Sequence, residues 1–239
     1  MARKTKEEWK VYKNVFDEFT LKTLFKLSSQ GYFEELVSPI KIGKEANIFS
    51  AITKDNKKVI VKIYRLESCN FNQMYSYIKA DARFQHMKRQ RRQIIFAWVQ
   101  REYRNLLKAR ETSTSVPTPF GVKNHVLVME YIGDSEPAPM LKDHHPRAKK
   151  EFLNKIIKNM NNLLKAKLVH GDLSEFNILN YKNNPVFIDF SQATLTKSPN
   201  ADELFERDII NIIRFFNKIG LKINKEQIKK QLKWNSNMN

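Results

Sequence analysis

The sequence predicts an α+β fold of two lobes, a small antiparallel-sheet lobe followed by a reduced, mainly helical one. Three observations carry that expectation. Val59–Tyr64 and Val126–Ile132 are apolar, β-branched runs bounded by turn-forming residues, as strands of a half-buried sheet are. Residues 94–107, 146–167 and 204–218 instead space their apolar side chains as helices do. Between the last two helices, Lys167–Val169 and Val186–Ile188 read as short strands flanking a polar loop.

Taken in order, Lys6–Leu36 carries amphipathic helical periodicity, with Trp9, Val15, Phe16, Phe19, Leu21, Leu24, Phe25 and Leu27 as core contacts, so residues 1–36 form an N-terminal helical segment. Residues 37–129 are expected to hold the sheet and one helix, with Phe71–Gln93 as a long, partly mobile loop. Prolines in Val116–Pro119 and Pro137–Pro139 punctuate the chain on either side of the central strand. Residues 130–239 make the helical lobe. Its first helix, about Pro146–Lys167, buries Phe152, Leu153, Ile156, Ile157, Met160, Leu163 and Leu164; its last, about Leu204–Lys218, packs Phe205, Ile209, Ile212, Ile213 and Phe216. A turn at Asn183–Pro185 brings Asp189 back beside Asn177.

The polar loop carries the chemistry. His170-Gly171-Asp172-Leu173-Ser174-Glu175-Phe176-Asn177 is followed, twelve residues after Asn177, by Asp189. This is the spacing at which kinase-like folds hold Mg²⁺ and a nucleotide triphosphate. A phosphoryl group in flight spreads negative charge over its oxygens, so it calls for hard oxygen ligands on Mg²⁺ and one carboxylate near the attacking oxygen. Asn177 and Asp189 suit the first task and Asp172 the second. Upstream, Lys62 sits inside a β-branched run and Glu102 on a helical stretch, a possible ion pair; a solvated lysine and a surface glutamate are the alternatives. Gly43-Lys44-Glu45-Ala46-Asn47 lies nineteen residues before Lys62, where a strand, phosphate loop, strand and turn would fit. Met129-Glu130-Tyr131-Ile132-Gly133 is an apolar strand running into a glycine.

With those strings in hand, the chain resembles the RIO family of atypical protein kinases, in the minimal, archaeal-like form of its type-one branch. The resemblance spans about Glu8 to about Gly220, and its specific strings are Gly43-Lys44-Glu45-Ala46-Asn47 and Ile188-Asp189-Phe190-Ser191-Gln192. Supporting strings are Lys62-Ile63-Tyr64, Tyr77–Phe84, Arg101–Leu106, Met129–Gly133, His170–Asn177 and Arg207–Ile212. It implies ATP with Mg²⁺ or Mn²⁺, held between the lobes. Gly43 to Asn47, Lys62 and Glu102 would serve the phosphates, Met129 the back of the pocket, Glu130 and Ile132 the base, and Leu179 its underside. It also implies Asp172 as catalytic residue, Asp189 as a metal ligand that can accept a phosphoryl group, and Asp208 as a buried cap on the catalytic loop. About forty residues before Gly43 are too few for the winged-helix domain of the type-two branch.

The departures from ordinary protein kinases carry information too. Gly171 replaces the arginine that reads a phosphorylated activation loop, Ser174 replaces a lysine, no Ala-Pro-Glu follows Asp189, and only fifty residues remain after it. A generous peptide groove is not expected. Ala80-Asp81 stands where the family has Gly-Asp.

Composition supplies the partner. The net charge of +18 peaks at Arg83, His86, Lys88, Arg89, Arg91 and Arg92, then Arg101 and Arg104, interleaved with Phe71, Tyr75, Tyr77 and Phe84. Cationic and aromatic residues together suit phosphates and base stacking, and the bland alternative is a solvated face. The resemblance adds the precursor of the small ribosomal subunit as partner, and the charge cluster makes Lys88, Arg89, Arg91 and Arg92 its expected docking element. A lone Cys69 excludes an internal disulfide framework, and the absence of a long apolar run points to a cytoplasmic chain with no membrane partner; a monomer is expected. Three functions stay open: a serine kinase or ATPase of ribosome maturation, a small-molecule kinase of the aminoglycoside or choline type, and a nucleotide-switched binding module with negligible turnover.

Overall fold

The computed structural model describes residues 16–84 and 86–234; Trp9 and Val15 lie outside them. The chain forms two compact units. The first takes in the described residues up to Ile78, then His86–Tyr103 and Thr118–Tyr131; the second takes in those of 79–85, then Arg104–Pro117 and 132–234.

The first unit opens with helix α1, Glu18–Ser29, started by the Asp17 side chain, which accepts the Thr20 N–H at 2.6 Å. The helix is shorter than its periodicity suggests because Gly31, at φ 87°, turns the chain out of it. Leu36 accordingly belongs to strand β1, Glu35–Ile42. With β2 Ala46–Ile52, β3 Lys58–Tyr64, β4 Pro119–Lys123 and β5 Val126–Glu130 it makes an antiparallel sheet in the order β1-β2-β3-β5-β4. Leu24 and Leu27 of α1 pack with Phe33, Ala51, Val61 and Val128 to form its core.

Most of the described residues in 71–93 are helical rather than a loop, and apart from Asp81 the irregular stretch is confined to 86–90. Phe71–Ala80 is helix α2, Ala82–Phe84 a short 3-10 turn, and helix α3 runs Arg91–Arg110. Met74 and Ile78, one turn apart, are buried, and the Tyr77 ring meets Trp98 edge-on at 5.7 Å. This is a helical stripe that the charges after it obscure in the sequence. Arg101 is also not a surface charge; it is buried, its guanidinium 5.3 Å from Tyr77 and 5.5 Å from Trp98.

In the second unit α4, Lys149–Lys165, buries all seven apolar residues assigned to it, and α5, Ala201–Lys218, buries Phe205, Ile209, Ile212 and Phe216. Phe215, not Ile213, completes that face. Strand β6, Leu168–Val169, pairs with β9, Thr194–Leu195, and β7, Ile178–Tyr181, pairs with β8, Asn184–Phe187. The β7–β8 turn is Lys182-Asn183, both at positive φ (51° and 58°), rather than Asn183–Pro185. A two-residue hairpin of this hand needs two left-handed residues, and proline cannot be one. A short helix, α6 Lys225–Lys229, follows.

Candidate active site

Lys62 lies on β3, between Ile48 of β2 and Leu127 of β5, with its side chain only 6% exposed. An ammonium removed from water needs a charged partner. The structure brings Glu102 of α3 to it, with Nζ 2.7 Å from Oε1, while Oε2 accepts the Tyr64 hydroxyl at 2.6 Å. In the same unit Gly43 makes the β1–β2 turn, its N–H donating to the Ala46 carbonyl at 3.1 Å. A Cβ there would lie 2.7 Å from that oxygen, so the turn requires glycine. The Ser68 hydroxyl donates to the Lys44 carbonyl and the Arg65 N–H to that of Glu45, both at 2.8 Å; Ala46 and Asn47 open β2. Met129 is buried on β5, and Glu130 anchors β4, its carboxylate accepting the N–H and hydroxyl of Thr118 at 2.9 and 2.7 Å.

In the second unit the carbonyl of Ile132 accepts the Ala138 N–H at 2.9 Å, and its own N–H makes no bond among the described residues. Leu179, on β7, is half-buried and bridges to Met140. The loop between β6 and β7 is built around Asp208. Its buried carboxylate accepts the N–H groups of Gly171 and Leu173 at 2.8 and 2.7 Å, the residues on either side of Asp172. Burial pushes this carboxyl up to about 7, against the pull of those two donors. The Arg207 guanidinium bonds the Gly171 carbonyl, and Asn211 donates to that of Leu173 at 3.2 Å. His170 is buried against the edges of Phe187 and Phe190, and burial holds it down at about 4, hence neutral. Its Nε2 faces the Ile188 carbonyl at 3.1 Å, so Nε2 carries the proton.

Asn177 donates through Nδ2 to both the carbonyl and Oδ2 of Asp172, at 2.8 and 3.0 Å. This fixes the Asp172 carboxylate and leaves Oδ1 of Asn177 as a hard ligand oxygen. The β7–β8 hairpin closes on this point, because the Ile188 N–H donates to the Asn177 carbonyl at 3.0 Å and so sets Asp189 next to it. Asp189 is left-handed, at φ 63°, and the Ser191 hydroxyl donates to its Oδ1 at 2.7 Å. One amide oxygen and one carboxylate suit Mg²⁺, which keeps waters and takes phosphate oxygens for the rest of its shell. Among the described residues no group of three or more His, Cys, Asp or Glu forms an all-protein cage.

Sequence reasoning missed Asn105, which is fully buried three residues beyond Glu102 on α3. Its amide donates to the carbonyls of Phe190 and Ala193, just after Asp189. A polar residue on the buried stripe of a helix was the available signal.

A buried Lys–Glu pair under a five-stranded sheet, and an Asp–Asn–Asp loop braced by a buried aspartate, define a protein-kinase-like phosphotransferase. The RIO domain family model matches residues 47–230, and the chain belongs to that family of ATP-dependent protein kinases. The RIO-type serine/threonine-protein kinase Rio1 of Methanocaldococcus jannaschii is 41% identical over 232 residues, 96% of this chain and 79% of the relative. That of Haloferax volcanii is 36% identical over 221 residues, 92% and 76%. The fold resembles the Rio2 kinase of Chaetomium thermophilum in its ADP/Mg²⁺-phosphoaspartate complex, at TM-score 0.69 and 23% identity, covering 90% of this chain and 67% of that one.

Proposed function

We propose that the chain is a RIO-type serine/threonine kinase and ATPase that binds Mg-ATP and acts in maturation of the small ribosomal subunit. The observation that carries the chemical part is the Asp172–Asn177 bond within a loop clamped by Asp208, since a proton-accepting carboxylate works only if its direction is fixed. Lys62, oriented by Glu102, holds the α- and β-phosphates, with the Gly43–Asn47 turn over them. Glu130 and Ile132 would offer backbone groups to the adenine, Met129 would guard the back of its pocket, and Leu179 would serve its underside. Oδ1 of Asn177 and the Asp189 carboxylate would hold Mg²⁺, or Mn²⁺ with the same donors, and the ion would supply positive charge to offset that of the phosphates.

Asp172 accepts the proton of a serine hydroxyl as that oxygen bonds to the γ-phosphorus and ADP leaves; Ser68 and Ser76 are the candidate acceptors within the chain. Alternatively the Asp189 carboxylate takes the phosphoryl group and water then cleaves the acyl phosphate, so that the net reaction is ATP hydrolysis. The phosphoaspartate in the related Rio2 complex favours keeping this route. Incubation with labelled ATP followed by hydroxylamine separates them: label lost from protein means acyl phosphate, label retained means phosphoserine. Full turnover in Asp172→Ala would overturn its role, and absence of ATP binding by calorimetry at millimolar Mg-ATP would overturn the whole reading.

The ribosomal part rests on the basic surface. Arg89 stacks over Phe71 and Tyr75, which are themselves stacked 6.2 Å apart, and Lys88 and Arg92, close by in the chain, are exposed. Such a surface suits RNA phosphates and bases. No described helix is long and apolar enough to cross a membrane.

A further inference from the structure

The loop after Asp189 is held from one side by a chain of polar groups, two buried and one half-buried, to which the phosphoryl chemistry assigns no part. Asn105 Nδ2 donates to the Phe190 carbonyl at 3.0 Å and to that of Ala193 at 2.7 Å, fastening both ends of the turn that the Ala193 N–H closes onto Phe190. Asn105 Oδ1 accepts from Arg83 Nη2 at 3.0 Å. Arg83 in turn grips Asp81 through Nε and Nη2, at 2.9 and 2.6 Å, and Asp81 also accepts the backbone N–H of Arg83 at 3.0 Å.

Donor and acceptor chemistry makes this arrangement directional. A guanidinium has donors only, so it must face the amide oxygen of Asn105, and that turns the NH₂ group onto the two carbonyls. The Asp81 carboxylate, itself buried, fixes the guanidinium by a two-point contact. The loop so held begins at a non-glycine residue in the left-handed region, a conformation that persists only where the surroundings over-determine it.

We propose that Asp81, Arg83 and Asn105 are positioning residues that set the Asp189 carboxylate for Mg²⁺, so that the short 3-10 segment after α2 governs the metal requirement of the enzyme. The proposal rests on the reading of Asp189 as a metal ligand. Partners that orient a metal ligand typically change metal affinity by about 10- to 100-fold when removed.

The test uses the full chain with Arg83→Met, Arg83→Lys and Asn105→Leu, and Asp189→Asn as reference. Hydrogen exchange of the Phe190–Ala193 amides and Mg²⁺ titration of ATP binding are the readouts. In Arg83→Met, exchange there should rise and half-saturating Mg²⁺ should increase about tenfold, with ATP binding in EDTA within about twofold of wild type. Arg83→Lys should recover part of the loss, and Asn105→Leu should exceed it. Wild-type exchange and Mg²⁺ titration in Arg83→Met, beside a shifted titration in Asp189→Asn, would overturn the proposal alone. A wild-type titration in Asp189→Asn would overturn the metal reading and the proposal with it. Equal losses with and without Mg²⁺, together with a lowered melting point, would reduce the network to packing and also overturn it.

Discussion

Replacing Glu102 by Gln isolates the charge of the buried pair. The side chains of Glu102 and Lys62 are 1% and 6% exposed, so neither gains help from solvent once the other is neutralised. Breaking a buried ion pair costs about 3–5 kcal/mol, most of it from the charge left behind. Gln keeps an oxygen for the Tyr64 hydroxyl and so retains a bond worth about 1 kcal/mol. The expected destabilisation is therefore about 3 kcal/mol, a large share of the roughly 5–15 kcal/mol that holds a domain together. Urea unfolding followed by far-UV circular dichroism measures it, as a lower midpoint at unchanged slope. The triple variant Lys62→Met, Glu102→Leu, Tyr64→Phe removes all three polar partners and should unfold near the wild-type midpoint while binding ATP poorly. A loss below about 1 kcal/mol in Glu102→Gln, or a triple variant as unstable as the single one, would refute the desolvation argument.

Stability should depend on pH through three buried groups. Burial holds His125 and His170 at about 4, so as pH falls the unfolded chain takes up these protons first, near 6.5; the stability they contribute is full above that value and lost between 6.5 and 4. Asp208, raised from 3.8 to about 7, acts in the opposite sense, its contribution being full below about 4 and lost as pH rises to 7. Urea midpoints between pH 4.5 and 7.5 should therefore show a steeper acid loss in Asp208→Asn and a shallower one in His125→Gln. On the basic surface, Arg91 donates to the Leu66 carbonyl at 2.8 Å and also bonds that of Glu67, so Arg91→Ala should lower stability and hardly change RNA affinity. Lys88→Ala, Arg89→Ala and Arg92→Ala should each flatten the log–log salt slope of precursor-RNA binding by about 0.7–0.9 for every phosphate left without its cation. Wild-type slopes in all four variants would return the cluster to a solvated face.

The parts of the site that depend on chain order were legible in the sequence, and those that depend on burial were not. Lys62, Asp172, Asn177 and Asp189 stood out because a charged or amide residue interrupts or follows a strand-like run at fixed spacing. The residues alone leave Asp208 open between a buried cap and a surface charge, and only the resemblance favours the cap, because nothing in chain order shows that the backbone N–H groups of Gly171 and Leu173 must find a carboxylate. Helix α2 was hidden because its apolar stripe is thin, Met74 and Ile78, and lies next to dense positive charge. For the same reason Arg101 read as surface charge, although it is buried against the Tyr77 and Trp98 rings, whereas Arg91 is exposed but commits its guanidinium to backbone carbonyls.

The sheet order bears on how the first unit folds. Strands β1, β2 and β3 form a meander of neighbours, and β4 and β5 form a local hairpin, but β3 meets β5 only across the intervening α2 and α3. Closing a flexible loop of roughly sixty residues costs about 2 kcal/mol more than closing one of about five, since the entropy grows as (3/2)RT ln n. The β3–β5 seam is therefore expected to be the late, slow contact of the sheet, and Lys62, paired with Leu127, belongs to it. Helical structure in Arg91–Arg110 shortens the span to be closed, so substitutions that weaken α3 should slow refolding more than they speed unfolding.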